Sequence, residues 1–123
     1  MKETNMAANP IPLSELNITT EVTPTETIVR CQGRITSSTF SKLQTTVRSL
    51  LPHTKVIAID LSDVNFMDSI GLGSLVGAYI SAKRAGSKLR VIKLNQRIKD
   101  LFSLTHLTTV LVEGRDPDYI NMP

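Results

Sequence analysis

The sequence predicts an α/β domain, with a mixed, mostly parallel sheet of about five strands and helices packed on it. Strand-like apolar runs alternate along the chain with amphipathic stretches at helical spacing, the pattern of strands joined by helical crossovers. Lys55–Leu61 (KVIAIDL) is apolar and β-branched at its centre, which fits a central strand covered on both faces. The segment that follows carries both a helix-start and a helix-stop signal, Asp68 and Gly86.

Met1–Pro12 contains Asn, Thr, Ala and two prolines without periodicity, and residues 1–15 are expected to be a disordered leader. Leu16–Val22 alternates apolar and polar residues and predicts a first strand. Thr23–Glu26 is a turn. Thr27–Gln32 predicts a second strand, ended by Gly33 and paired with the first as a hairpin. Ser37–Leu51 predicts a helix capped by Thr36 or Ser37. Its buried face is Phe40, Leu43, Val47, Leu50 and Leu51, and Pro52 ends it.

After the central strand, a short loop is expected to lead into a helix over 69–85 with Asp68 as N-cap. Lys83 and Arg84 in its last turn complement the helix dipole. Leu72, Leu75, Val76, Tyr79 and Ile80 form its expected core stripe. Gly73 and Gly77 make a GxxxG pair suited to close helix packing. Lys88–Leu94 predicts a fourth strand. Asn95 can cap a third helix with Ile98, Leu101 and Phe102 inward, and Val110–Val112 a short last strand. The domain is therefore placed at residues 16–112, with 113–123 a C-terminal tail without pattern.

Composition narrows the function classes. The chain has 123 residues, enough for one domain, and 41% apolar residues, enough for one core. Cys31 is its only cysteine, so no intramolecular disulfide forms, which suits a reducing cytosol; its place in a strand-like run predicts a buried thiol. There is no basic region followed by an apolar core at the start, as a secretory signal would have. The most apolar stretch, Ile70–Ala82, is too short to span a bilayer. His53 and His106 have no Cys or carboxylate at ligand spacing, so no metal is expected. Glycine loops for nucleotides are absent, and no cofactor is expected. No nucleophile–base pair or paired carboxylates can be argued from spacing, so no catalytic residue is expected. Between Ser69 and Lys99 lie seven basic residues and no acidic one, a solvated face or a surface that steers an acidic partner. Interleaved aromatics are missing there, which argues against nucleic acid.

One segment stands out. Asp60–Gly73 (DLSDVNFMDSIGLG) runs from the buried strand into the helix, at the carboxyl end of a strand where sites gather in open α/β sheets. Ser69 falls in the first helical turn, where free N–H groups and the dipole favour a negative group. Gly71 and Gly73 present bare backbone. Taken alone, these residues are more often a simple Asp-Ser helix cap.

The stretch FMDSIGLG, after an apolar strand and a DLS turn, resembles the pattern of STAS domains, and of bacterial anti-sigma factor antagonists among them. Gly33–Leu43 is similar to the family's G-E-L-D-x-x-T-x-x-x-L, and Ile98–Leu107 to its V-x-x-L-x-x-x-x-x-L. The resemblance covers roughly residues 16 to 112. It implies a partner-switching protein that is a substrate and has no active site of its own. The unphosphorylated form would bind an anti-sigma serine kinase of the GHKL type and free a sigma factor. Phosphorylation of Ser69 would end that binding, and a PP2C-type phosphatase would restore the serine. The implied partner-binding residues are Asp68, Ile70, Gly71, Leu72, Gly73 and Thr36. A cytoplasmic monomer or weak dimer, without nucleic-acid or membrane contact, is the implied setting.

Three departures accompany the resemblance. Thr36 stands where the family usually has Asp, Ile70 replaces a hydroxyl residue, and no C-terminal helix is evident. Two other readings share the fold class. A constitutive STAS scaffold subunit, as in a lipid-transport or stress-sensing assembly, would use the same surface without a switch. A receiver domain would use Asp60 at a strand end as phosphoacceptor, but it needs an acidic pair after the first strand and a lysine after the last. Neither is found there.

Overall fold

The computed structural model describes residues 15–105. Seven elements follow in the order β1 (Leu16–Val22), β2 (Thr27–Ile35), α1 (Phe40–Leu50), β3 (Val56–Met67), α2 (Ser69–Arg84), β4 (Lys88–Ile92) and α3 (Gln96–Thr105). The α/β class and the mostly parallel sheet are as the sequence predicts. The sheet order is β1-β2-β3-β4, with β1 antiparallel to β2 and the other pairs parallel. Four strands lie among the described residues. The expected fifth, at 110–112, falls outside them, as do most of the 1–15 leader and the 113–123 tail.

The hairpin is set by its turn. Thr23 accepts at Oγ1 from the Glu26 N–H (3.1 Å), and both its own N–H and its hydroxyl donate to the Glu26 carbonyl at 2.8 Å. That fixes Val22 opposite Thr27 and puts Thr27, Val29, Cys31, Gly33 and Ile35 on the buried face of β2. Gly33 does not end this strand. It sits within β2 at φ +117°, beside a register shift, and a Cβ there would run into the Glu15 carbonyl.

β3 is also longer than expected. Residues 57–61 are buried without a break, as a strand covered on both faces requires. The expected loop after Leu61 is instead strand, and Asp63, Val64, Phe66 and Met67 pair with the second half of β2. β4 pairs only with Val56–Asp60, so the rest of the outer β3 edge lacks a strand neighbour. Asn95 and Arg97 cover part of it by donating to the Val64 carbonyl (2.6 Å) and the Asn65 carbonyl (3.0 Å).

The helices carry three further corrections. α1 begins at Phe40 after Thr39, and neither Thr36 nor Ser37 caps it; Thr39 spends its hydroxyl on the Arg34 carbonyl (2.7 Å) and the Thr36 N–H (2.9 Å). Ile80 is half exposed; the inward face of α2 is Gly71, Leu72, Ser74, Leu75, Ala78 and Ala82. Leu72 and Leu75 of the expected stripe are buried and Val76 and Tyr79 pack partly buried against the core, so Ile80 is the one member that faces out. A Cβ on Gly73 or Gly77 would meet nothing within 4 Å, so the GxxxG pair makes no close helix contact. The α2 termini are as expected: Asp68 caps it, and Gly86 follows Ala85 at φ +79°. Asn95 caps α3 through the Ile98 N–H (3.0 Å), and Ile98 and Phe102 are fully buried.

Candidate functional site

The carboxyl ends of β2 and β3 meet at Asp68. This residue is extended, and its N–H donates to the Ile35 carbonyl at 3.3 Å. Its carboxylate makes two bonds. Oδ1 accepts from the Gly71 N–H (2.7 Å), which caps α2, and Oδ2 from the Ser37 N–H (3.1 Å), which ties in the turn before α1. The Gly71 N–H chiefly holds the Asp68 carboxyl below the usual carboxylate range, against some desolvation, with the Ser37 and Ile70 N–H groups adding to it.

Ser69 is the first residue of α2 and is exposed; among the described residues its hydroxyl makes no hydrogen bond. A group on that oxygen would stand at the positive end of a 16-residue helix. Ile70 beside it is 49% exposed, and Gly73 faces open space. Thr36 is half-buried and accepts the Ser38 N–H at 3.2 Å, so its hydroxyl serves its own turn.

Gly71 and Leu72 are placed differently from the expectation that they meet a partner. Both are buried. Gly71 lacks a side chain because the Ile35 carbonyl fills that space. Two other serines near the segment are engaged: Ser74 is buried and donates to the Gly71 carbonyl (2.6 Å), and Ser62 donates to Asp60 Oδ1 (2.7 Å).

Sequence reading missed three contacts with the residues that precede Ser69. Ser37 is brought in by Asp68. Arg34 lies over the Phe66 ring, 4.3 Å from its centroid, because the two are register partners at the strand ends. Arg97 reaches the Asn65 carbonyl. The Arg34–Phe66 contact comes from β2–β3 pairing beyond Gly33, which the glycine concealed, and the Arg97 contact comes from α3 on the outer β3 edge.

Asp60 lies within β3, not at a strand end. It is 4% exposed, accepts from Ser62, and lies 3.8 Å from Arg30 Nε and 4.0 Å from Lys93 Nζ. The basic run is not one patch: Lys93 faces Asp60, Arg90 pairs with Glu26 (3.1 Å), and Arg97 joins the β3 edge. Among the described residues no group of three metal-ligating side chains comes together, and no helix is long and apolar enough to cross a membrane.

The chain is 41% identical over 63 residues to the anti-sigma-B factor antagonist of Listeria monocytogenes, a match covering 48% of this chain and 55% of that protein. It is 38% identical over 55 residues to the anti-sigma-B factor antagonist of Bacillus subtilis, covering 45% and 50%. The matched region thus spans about half the length of these curated relatives. The crystal structure of an anti-sigma factor antagonist from Mycobacterium paratuberculosis superposes with a TM-score of 0.72 over 82% of this chain and 86% of that one, at 22% identity, a likeness of fold. The STAS domain profile matches residues 17–115, a span that contains both the β2–β3 ends and the Asp68 cap, and the chain belongs to the STAS domain family.

Proposed function

We propose that this protein is an anti-sigma factor antagonist whose partner binding is switched by phosphorylation of Ser69. The observation that supports this best is the state of that hydroxyl: exposed, free of hydrogen bonds among the described residues, and fixed at the start of α2 by the Asp68 cap. The names of the relatives point to the same activity.

In the proposed cycle the unphosphorylated chain binds an anti-sigma factor, a serine kinase of the GHKL ATP-binding type, and a sigma factor is released. Ser69 Oγ then attacks the γ-phosphorus of ATP; the new O–P bond forms as the bond to ADP breaks, and the hydroxyl proton leaves to a base on the kinase. A PP2C-type phosphatase hydrolyses the ester and returns the serine. The chain is a substrate throughout and supplies no catalytic group, metal or cofactor. Asp68 positions the serine, while Ile70 and Gly73 supply outward contact surface and Thr36 shapes the adjoining turn. The proposed unit of action is the domain at 16–112, working in the cytoplasm as a monomer or weak dimer.

The test is mass spectrometry of the chain after incubation with ATP and each GHKL serine kinase encoded in its source genome. One phosphate on Ser69, absent from Ser69→Ala, is the expected result, with Ser69→Ala still binding the kinase. Binding without any phosphate transfer would support a constitutive STAS scaffold subunit instead.

A further inference from the structure

We infer that Arg34 and Arg97 form a basic collar beside Ser69 that receives carboxylates on the surface of the partner kinase. This rests on the functional reading above and adds the chemistry by which the partner is chosen.

The collar is built at the strand ends. Arg34 and Phe66 alternate with the buried Ile35 and Met67, so they project on the other side of their strands. The Arg34 guanidinium stacks on Phe66, whose ring is partly exposed (38%). Arg97 Nη1 bonds the carbonyl of the preceding residue, Asn65, so both cations are anchored on consecutive residues of β3. Phe66 is three residues before Ser69, which puts the ends of that stretch within about 10 Å of one another.

Neither guanidinium group is spent on a carboxylate. Arg30 has Glu21 and Asp60, and Arg90 has Glu26. Among the described residues neither Arg34 nor Arg97 has a carboxylate within ion-pair distance. Stacking on a ring leaves the N–H edge of a guanidinium free, and that edge matches a carboxylate in a two-pronged bond. Asp68, just before α2, is already engaged by two backbone N–H groups. Asp63 is an exposed acid on this part of β3, and Asp100, three residues after Arg97 in α3, accepts from Gln96 Nε2 at 2.7 Å; neither forms an ion pair with Arg34 or Arg97.

The charge balance differs from the sequence pattern that the segment resembles. Arg34 stands at the glutamate of G-E-L-D, and Thr36 at its aspartate. The rim therefore offers positive charge where that pattern offers negative, and a complementary partner surface is acidic. A phosphate on Ser69 would bring about −1.5 to −2 charges to the same rim and oppose those carboxylates.

The experiment measures association rates of the full chain with the kinase that phosphorylates it, at 50 mM and 500 mM salt. The variants are Arg34→Glu, Arg97→Glu and Arg84→Glu. Arg84→Glu makes the same change in net charge at the far end of α2, about 22 Å along the helix. Arg34→Glu and Arg97→Glu should each slow association about tenfold at low salt, with most of the difference gone at high salt. Arg84→Glu should stay near wild type. Far-UV circular dichroism of each variant excludes misfolding, and Arg34→Gln, with an intermediate loss, provides a milder change. Equal slowing in all three charge reversals, or none in the two collar variants, overturns the collar while leaving phosphorylation of Ser69 standing. If no kinase binds the wild-type chain, the functional reading falls and the collar with it.

Discussion

The Ile35 carbonyl occupies the space that a side chain on Gly71 would need. The first turn of α2 is thereby pressed against the end of β2, and the Asp68 N–H bonds the same carbonyl. Ser69 and Ile70 consequently start a helix whose first turn is held by backbone contact as well as by the core packing of Leu72 and Leu75.

Gly71→Ala must push α2 off β2. Overpacking of this kind costs about 1–3 kcal/mol, and the urea midpoint should fall accordingly. Gly73→Ala is the contrast. It meets no atom within 4 Å and gains helix propensity of about 0.5–1 kcal/mol. Its midpoint should hold or rise. If Gly73 lies under the kinase, as proposed, affinity should drop in this variant while stability does not. A Gly71→Ala protein as stable as wild type would show that the contact relaxes freely.

Asp68 links α2 to the turn before α1. Asp68→Ala removes a helix cap and the Ser37 tie, and should lower stability by about 1 kcal/mol. Asp68→Asn keeps an oxygen for the cap and should lose less. The folded carboxyl binds its proton more weakly than the unfolded chain does. Its contribution is therefore complete at neutral pH and is lost as pH falls from about 3.9 through the depressed folded value. Urea midpoints from pH 7 down to pH 2.5 should fall less steeply for Asp68→Asn than for wild type. Identical acid limbs would exclude Asp68 as a contributor.

Cys31 is buried in the sheet, 2% exposed, and its thiol is pushed up to about 12 by desolvation, with the nearby Asp60 charge adding to it. The thiolate is the reactive form, so the folded chain should be almost inert to Ellman's reagent at pH 8. Its reaction should follow unfolding and accelerate in urea in step with the loss of circular dichroism. Rapid labelling of the native protein would mean that β2 opens locally.

Much of this was legible in the sequence, for reasons that separate cleanly from what was not. The bounds of β1 are legible because the Thr23–Glu26 turn and the apolar Leu16, Ile18 and Val22 mark them locally, although only Leu16 is buried. Asp68, Gly86 and Asn95 were read as caps because capping is local chemistry. The strand ends were not legible. Gly33 reads as a stop, yet the bulge it permits carries β2 on to Ile35. Asp63 and Asn65 read as loop because they are polar, yet they lie on an exposed stretch of strand. The inward turn of Gly71 and Leu72 was hidden for a related reason: the residue type does not tell whether a glycine admits a partner or the chain's own backbone. Ser37 and Arg34 join the candidate site through contacts some thirty residues apart in the chain, which local patterns do not encode.

Phosphorylation of Ser69 should change the surface and leave the fold alone. Phosphoserine adds about −1.5 to −2 charges at neutral pH. At the exposed N-terminus of α2 the dipole offsets this by about 0.3–1 kcal/mol. Asp68 opposes it as a like charge, though two N–H groups already hold that carboxylate. These effects act in opposite directions, so the urea midpoint should move little. Binding differs because a partner packed on Ser69 and Ile70 must strip water from the dianion, or meet it with acidic groups of its own. A mismatched buried charge typically costs about 2–5 kcal/mol, which weakens affinity by about thirtyfold at the lower end and more than a hundredfold above about 2.8 kcal/mol. Phosphorylated and plain protein should be compared by urea midpoint and by kinase binding with nucleotide present. The expected pair of results is a similar midpoint and a large loss of affinity. A large fall in midpoint with unchanged affinity would place the switch in the fold rather than the surface, even with Ser69 as the modified residue.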